Sequence, residues 1–168
     1  MKKIHIDQSV FIKTIDSYAL LNRDILNAID KIPKSTLDNV TKTDYNIENT
    51  EREYWEILFP YLKNSIESVC IDLNCNSWQI ENYWFQQYSQ NSSHDWHTHD
   101  RCNYAFVYFV EVNEKNITRF IDSTNDKIYT IPAKEKDLIA FPAHIPHSSP
   151  INTEDRKTIV AFNVSFKL

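Results

Sequence analysis

The chain of 168 residues contains no glycine at all. Phosphate-cradling loops and dinucleotide fingerprints need glycine where backbone approaches ligand, so both are excluded. Tight turns must instead be built from Asn, Asp and Pro. Cysteine is scarce: Cys70, Cys75 and Cys102 are an odd number with no C-x-x-C pair. That argues against a disulfide framework or a thiolate zinc site and for a reducing, cytoplasmic location. No apolar run approaches the ~18 residues of a membrane span. The opening Met1-Lys2-Lys3-Ile4-His5 has no apolar stretch of the signal-peptide kind. Positive charge is also in deficit. A formal net charge of −5 disfavours a broad nucleic-acid surface, although it leaves room for a local basic groove.

What is present is a globular composition, 42% hydrophobic and 13% aromatic, long enough for one domain over 1–168 with a substantial core. Residues 1–75 read as mostly helical. Ile15, Tyr18, Leu21, Ile25 and Ile29 recur at helical spacing up to Pro33. Thr50 and Glu53 have capping-box spacing ahead of a second stripe, Trp55, Leu58, Phe59, Leu62, Ile66 and Val69, in which Pro60 should kink or split the helix. From Ser77 the pattern changes to short runs rich in aromatic and β-branched residues: 78–88, 104–112, 117–122, 127–131, 137–141 and 158–166. Helices first and strands after predicts an α+β domain, with a barrel or sandwich over 77–168 and the helices packed on one sheet.

Five of the six histidines lie in two clusters, His94-Asp95-Trp96-His97-Thr98-His99-Asp100 and His144-Ile145-Pro146-His147. In extended chain, His97 and His99 project from one face. With a third ligand from a distant strand they would hold a metal and leave positions open for substrate or oxidant. His94 and His5 read as surface residues, and His144 as a turn residue rather than a ligand. Arg156 precedes an alternating strand, Thr158, Val160, Phe162, Val164 and Phe166. On that face a guanidinium turned toward the core needs an anion, and a bound dicarboxylate would supply one. The alternative places Arg156 in water beside Glu154 or Asp155. Gln86 and Tyr88 on one strand, and Tyr108 on another, are candidates for contact with substrate or cosubstrate. Cys102 is a possible oxidation target near the metal, or a small packed residue.

The stretch from Tyr83 to Asn163 resembles the 2OG-Fe(II) oxygenases, prolyl-hydroxylase-like proteins of bacteriophages and marine bacteria. The motifs that carry this are Trp84-Phe85-Gln86, His97-Thr98-His99, Val107-Tyr108-Phe109-Val110, Phe141-Pro142 through His147, and Arg156 to Phe162-Asn163. The resemblance implies a double-stranded β-helix (jelly-roll) barrel, Fe(II), 2-oxoglutarate and O2, in the cytoplasm of a bacterium or a phage-infected cell. It implies hydroxylation of a peptidyl, prolyl-like or other C–H substrate, with release of succinate and CO2. It assigns His97 and His147 to the metal, Arg156 to the distal carboxylate of 2-oxoglutarate and Thr158 to assist it; Tyr108, from its place on its strand, is the expected further cosubstrate contact. Gln86 and Tyr88 fall to the substrate. The family pattern is H-x-D/E, and here the second slot holds His99. A three-histidine centre is therefore expected, with Asp100 as the alternative third ligand. The competing readings are a cupin-like dioxygenase or isomerase that does not use 2-oxoglutarate, and a non-catalytic metal-binding barrel.

Overall fold

A computed structural model describes residues 9–113, 117–122 and 124–168; His5 lies outside them. Elements follow in the order β1 (Phe11–Thr14), α1 (Leu21–Asp30), β2 (Lys42–Thr43), α2 (Glu53–Asp72), β3 (Ser77–Ser89), β4 (His94–His97), β5 (Tyr104–Glu111), β6 (Arg119–Asp122), β7 (Lys127–Thr130), β8 (Asp137–Pro142), β9 (His147–Ser149) and β10 (Arg156–Lys167). The strands form a six-stranded sheet, β1-β8-β5-β10-β3-β2, and a four-stranded sheet, β4-β9-β6-β7, with every pairing antiparallel. This is a double-stranded β-helix in an α+β arrangement. No helix among the described residues is long and apolar enough to cross a membrane.

The large sheet is buried on both faces. Leu21, Ile25 and Ile29 of α1, with Tyr54, Trp55, Leu58, Leu62 and Ile66 of α2, pack on its outer face against Phe85, Phe106, Tyr108, Val160, Phe162, Val164 and Phe166. Its inner face carries Trp84, Tyr88, Ala105, Val107, Phe109, Ile139, Ile159 and Ala161, which meet Phe120 of the small sheet. Strand alternation therefore sorts β10 into an outer row, 158, 160 and 162, and an inner row, 157, 159 and 161.

The N-terminal region is less helical than its sequence suggests, because β1 and β2 add strands to the two edges of the large sheet. Residues Ile15 and Tyr18 precede α1. Pro60 neither splits nor ends α2. It lies on the exposed side of the helix, as does Glu56, so the carbonyl that loses its amide partner faces water. No capping box forms either: α2 begins at Glu53, and its N-cap position, Arg52, has no side-chain cap. Turns do use Asn and Asp in place of glycine. Five of the seven positive-φ residues described are of these types: Asp38, Asn49, Asn74, Asn91 and Asp126.

Candidate metal centre and lumen

The small sheet builds the site. His97 of β4 pairs directly with His147 of β9. Just beyond β4 the chain is held by the His99 amide, which donates to the Ala143 carbonyl at 2.8 Å. His97, His99 and His147 each bring a ring nitrogen within 4.8 Å of the other two. His99 Nε2 and His147 Nε2 are 3.1 Å apart. Two nitrogens each about 2.1 Å from a metal and set at a right angle would lie about 3 Å apart, so the spacing suits a shared ion.

The tautomers fit as well. His97 Nδ1 donates to the Asp95 carbonyl at 2.8 Å, and His147 Nδ1 to the Ile145 carbonyl at 3.0 Å. Each ring then turns its Nε2 lone pair toward the others, the orientation that outer hydrogen bonds impose on metal-binding histidine. Since His147 Nε2 can only accept, the 3.1 Å contact requires a proton on His99 Nε2. Burial lowers the pKa of all three rings: His97 by burial alone, His99 to about 4 and His147 to about 3, the last two with neighbouring imidazoles adding to the effect. All three are therefore neutral at pH 7, the form that coordinates metal. His147 is further fixed by Phe141, edge-on at 4.6 Å.

Asp100 does not join them. Its side chain is 93% exposed and faces Arg101 at 3.8 Å. His144 is exposed on its turn. His94 is half-buried, which departs from the surface position expected of it. Its ring stacks on His97 with centroids 4.1 Å apart. The cause is a bulge. His94 pairs with Ser149 and His97 with His147, so β4 spends one more residue than β9 between the two pairs. A spacing of three, which alternation would put on opposite faces, then lands on one. Burial, with His97 nearby, lowers the His94 pKa to about 4.

The basic residue of the lumen is Lys157, not Arg156. Arg156 lies on the outer row of β10 with its side chain 40% exposed. Its Nε donates to Glu111 Oε2 at 2.7 Å, and Asp30 lies 3.8 Å away. The expected outward partners, Glu154 and Asp155, are replaced by these two. Thr158 is buried on the same outer row, sharing Glu111 and Gln87. Tyr108 also faces the helices, and its hydroxyl donates to Asn22 Oδ1 at 2.7 Å. These three are thus placed away from the histidines because the outer face is an apolar core too, under the helices. Lys157 on the inner row is 1% exposed. Its Nζ donates to Ser149 Oγ at 2.8 Å and lies 5.1 Å from the Tyr88 ring centre. Burial, together with the positive charge of Arg119, lowers its pKa to about 7. The mixed small and polar inner row, Lys157, Ile159, Ala161 and Asn163, was the available sign that this face lines a lumen.

Gln86 and Tyr88 do line the lumen, with His94, His97, His99, His147 and Ser149, around an inner cavity of about 30 Å³. Outside it, a groove of about 650 Å³ runs over the histidines between Tyr45, Trp84, Asn82, Asn163 and Arg101. Trp84 packs against His99 at 5.8 Å and meets Tyr45 edge-on at 5.1 Å. Cys102 is partly buried, and burial, with Asp100 and Glu81 adding to it, raises its thiol pKa to about 11. It is therefore a protonated, packed thiol at neutral pH.

The fold is that of the 2-oxoglutarate- and Fe(II)-dependent oxygenases. A viral collagen prolyl hydroxylase from Paramecium Bursaria Chlorella virus-1, solved with 2-oxoglutarate, superposes with a TM-score of 0.66 at 12% identity, over 95% of this chain and 96% of its own. A Trichoplax adhaerens prolyl hydroxylase in complex with a hypoxia-inducible-factor peptide fragment gives 0.62 at 13% identity, over 92% and 82%. HygX from Streptomyces hygroscopicus, with nickel, 2-oxoglutarate and hygromycin B bound, gives 0.72 at 7% identity, over 94% and 83%. No model of a protein family matches the chain, and no curated protein sequence does.

Proposed function

We propose that this protein is an Fe(II)- and 2-oxoglutarate-dependent oxygenase that hydroxylates a C–H bond. One observation carries the reading: three neutral imidazoles converge at the mouth of a barrel whose lumen holds a buried lysine. His97, His99 and His147 hold the iron through Nε2, with the Asp95 and Ile145 carbonyls setting two of the rings. Three neutral ligands leave the ion its full double charge, which a dianion can neutralise. Lys157, with the Ser149 hydroxyl and the Tyr88 ring beside it, receives the distal carboxylate of 2-oxoglutarate. Bound Fe(II) supplies O2 activation coupled to decarboxylation of 2-oxoglutarate to succinate and CO2.

At about 30 Å³ the inner cavity holds about one water, so cosubstrate entry requires its wall to move. The groove over the histidines takes the substrate, and its size accommodates a peptidyl, prolyl-like residue with its neighbours. Arg156, Thr158 and Tyr108 serve the packing of β10 and β5 against the helices. A cupin-like enzyme that does not use 2-oxoglutarate would have no use for Lys157.

Calorimetry in the presence of Mn(II) tests the reading. 2-Oxoglutarate is expected to bind, and Lys157→Ala to weaken it by about 2–5 kcal/mol, as for truncation of one partner of a buried charge pair. Arg156→Ala should bind like the wild type. Equal affinity in Lys157→Ala would remove the lysine from the site, and no binding to the wild type would overturn the oxygenase.

A further inference from the structure

His94 stacks on a metal-triad ring, yet its nitrogen chemistry is opposite to that of its neighbour. The reason lies in a string of hydrogen bonds along the lumen wall. At the inner end, Lys157 Nζ donates to Ser149 Oγ at 2.8 Å. Ser149 also lies within hydrogen-bond reach of Tyr88. Tyr88 is fully buried, and its own O–H donates to Gln86 Oε1 at 2.7 Å. That leaves the Gln86 amide nitrogen facing His94 Nδ1 at 3.3 Å. The Tyr88 O–H thus takes the carboxamide oxygen as its acceptor, and the amide N–H is left for the ring. With Oε1 taken by the Tyr88 hydroxyl, Gln86 Nε2–H donates to His94 Nδ1. A neutral ring that accepts at Nδ1 carries its proton on Nε2. His97 and His147 carry theirs on Nδ1.

We propose that His94 is a positioning residue held in the Nε2–H tautomer by Gln86, itself oriented by the Tyr88 hydroxyl, and that it is a hydrogen-bond donor beside the metal triad, not a fourth ligand. His94 borders both the inner cavity and the groove. A molecule lying in the groove therefore meets an N–H at this point, which selects for an acceptor oxygen such as an amide carbonyl or a hydroxyl. That consequence for the substrate rests on the oxygenase reading; the tautomer itself does not.

Long-range 1H–15N correlation spectra of the metal-free, 15N-labelled protein read each ring directly. His94 and His99 are expected as Nε2–H, and His97 and His147 as Nδ1–H. Diamagnetic Zn(II) should then metallate Nε2 of His97, His99 and His147, moving the His99 proton to Nδ1, while His94 keeps its Nε2–H. In Gln86→Glu the carboxylate can only accept, so His94 should lose its Nε2–H signal and gain Nδ1–H. Finding His94 as Nδ1–H in the wild type, seeing its Nε2 proton displaced by Zn(II), or finding its tautomer unchanged in a folded Gln86→Glu protein would each overturn the proposal. None of these spectra involves 2-oxoglutarate, so failure of cosubstrate binding leaves them independent.

Discussion

A metal takes the lone pair of a neutral imidazole, and burial keeps the rings of this mouth neutral. Asp100, by contrast, would have to give up full hydration and turn inward to ligate. Iron stoichiometry of purified variants separates the two. His99→Ala is expected to be nearly empty and Asp100→Asn nearly full; the reverse order would make the carboxylate the third ligand. His99→Asp should still bind iron, since carboxylate and imidazole both suit it. At this scale the sequence was informative about types and poor about direction. The H-x-H pair was legible because its spacing puts both rings on one face of an extended chain, and His147 because it closes the Pro-flanked motif that begins at Phe141-Pro142. Arg156 and Lys157 are neighbours in the chain, and only the face of β10 decides which of them meets the lumen. Both faces of that strand are apolar, so alternation marks two rows without saying which is inside.

The helix α2 shows how an element absorbs a residue that its propensity forbids. Pro60 deprives Glu56 of a partner, but on the wet side of the helix, while Trp55, Leu58 and Leu62 stay buried. Trp55 stacks on Tyr83 at 4.3 Å and meets Phe162 edge-on at 5.2 Å, so sheet packing holds the first turns whatever Pro60 does. Pro60→Ala should restore the hydrogen bond and the propensity, about 3 kcal/mol in a free helix and less here because proline also restrains the unfolded chain. Thermal melts should show a higher midpoint; a lower one would mean that the packing of α2 depends on the proline. In β4 the extra residue between His94 and His97 had no signature in composition, which is why His94 looked like a surface residue. The long strands β3, β5, β8 and β10 were legible from their aromatic and β-branched runs. The short β1 and β2 exist through pairing with those strands, and β9 through pairing with β4 and β6; four or fewer residues carry too little pattern to announce it.

Across the whole molecule, two sheets and a helical layer leave several titratable rings in a dry mouth, and that sets an acid limit. His94, His99 and His147 have folded pKa values of about 4, 4 and 3, while the unfolded chain binds these protons near 6.5. Between about pH 6.5 and 4 the unfolded state holds more protons than the folded one, so stability falls as pH falls through that window. Urea midpoints of the metal-free protein should be lower at pH 5 than at pH 7, and the difference should shrink in His99→Asn. A midpoint that does not move would show the rings to be protonated in the folded state. The complete absence of glycine has a different consequence at this scale. Arg101 and Lys136 hold left-handed backbone at φ 57° and 69° with a full side chain attached. A Cβ in that region costs about 1–2 kcal/mol. Each such turn is an unused reserve: single steps to glycine there lie open as offsets when a change in the mouth costs stability.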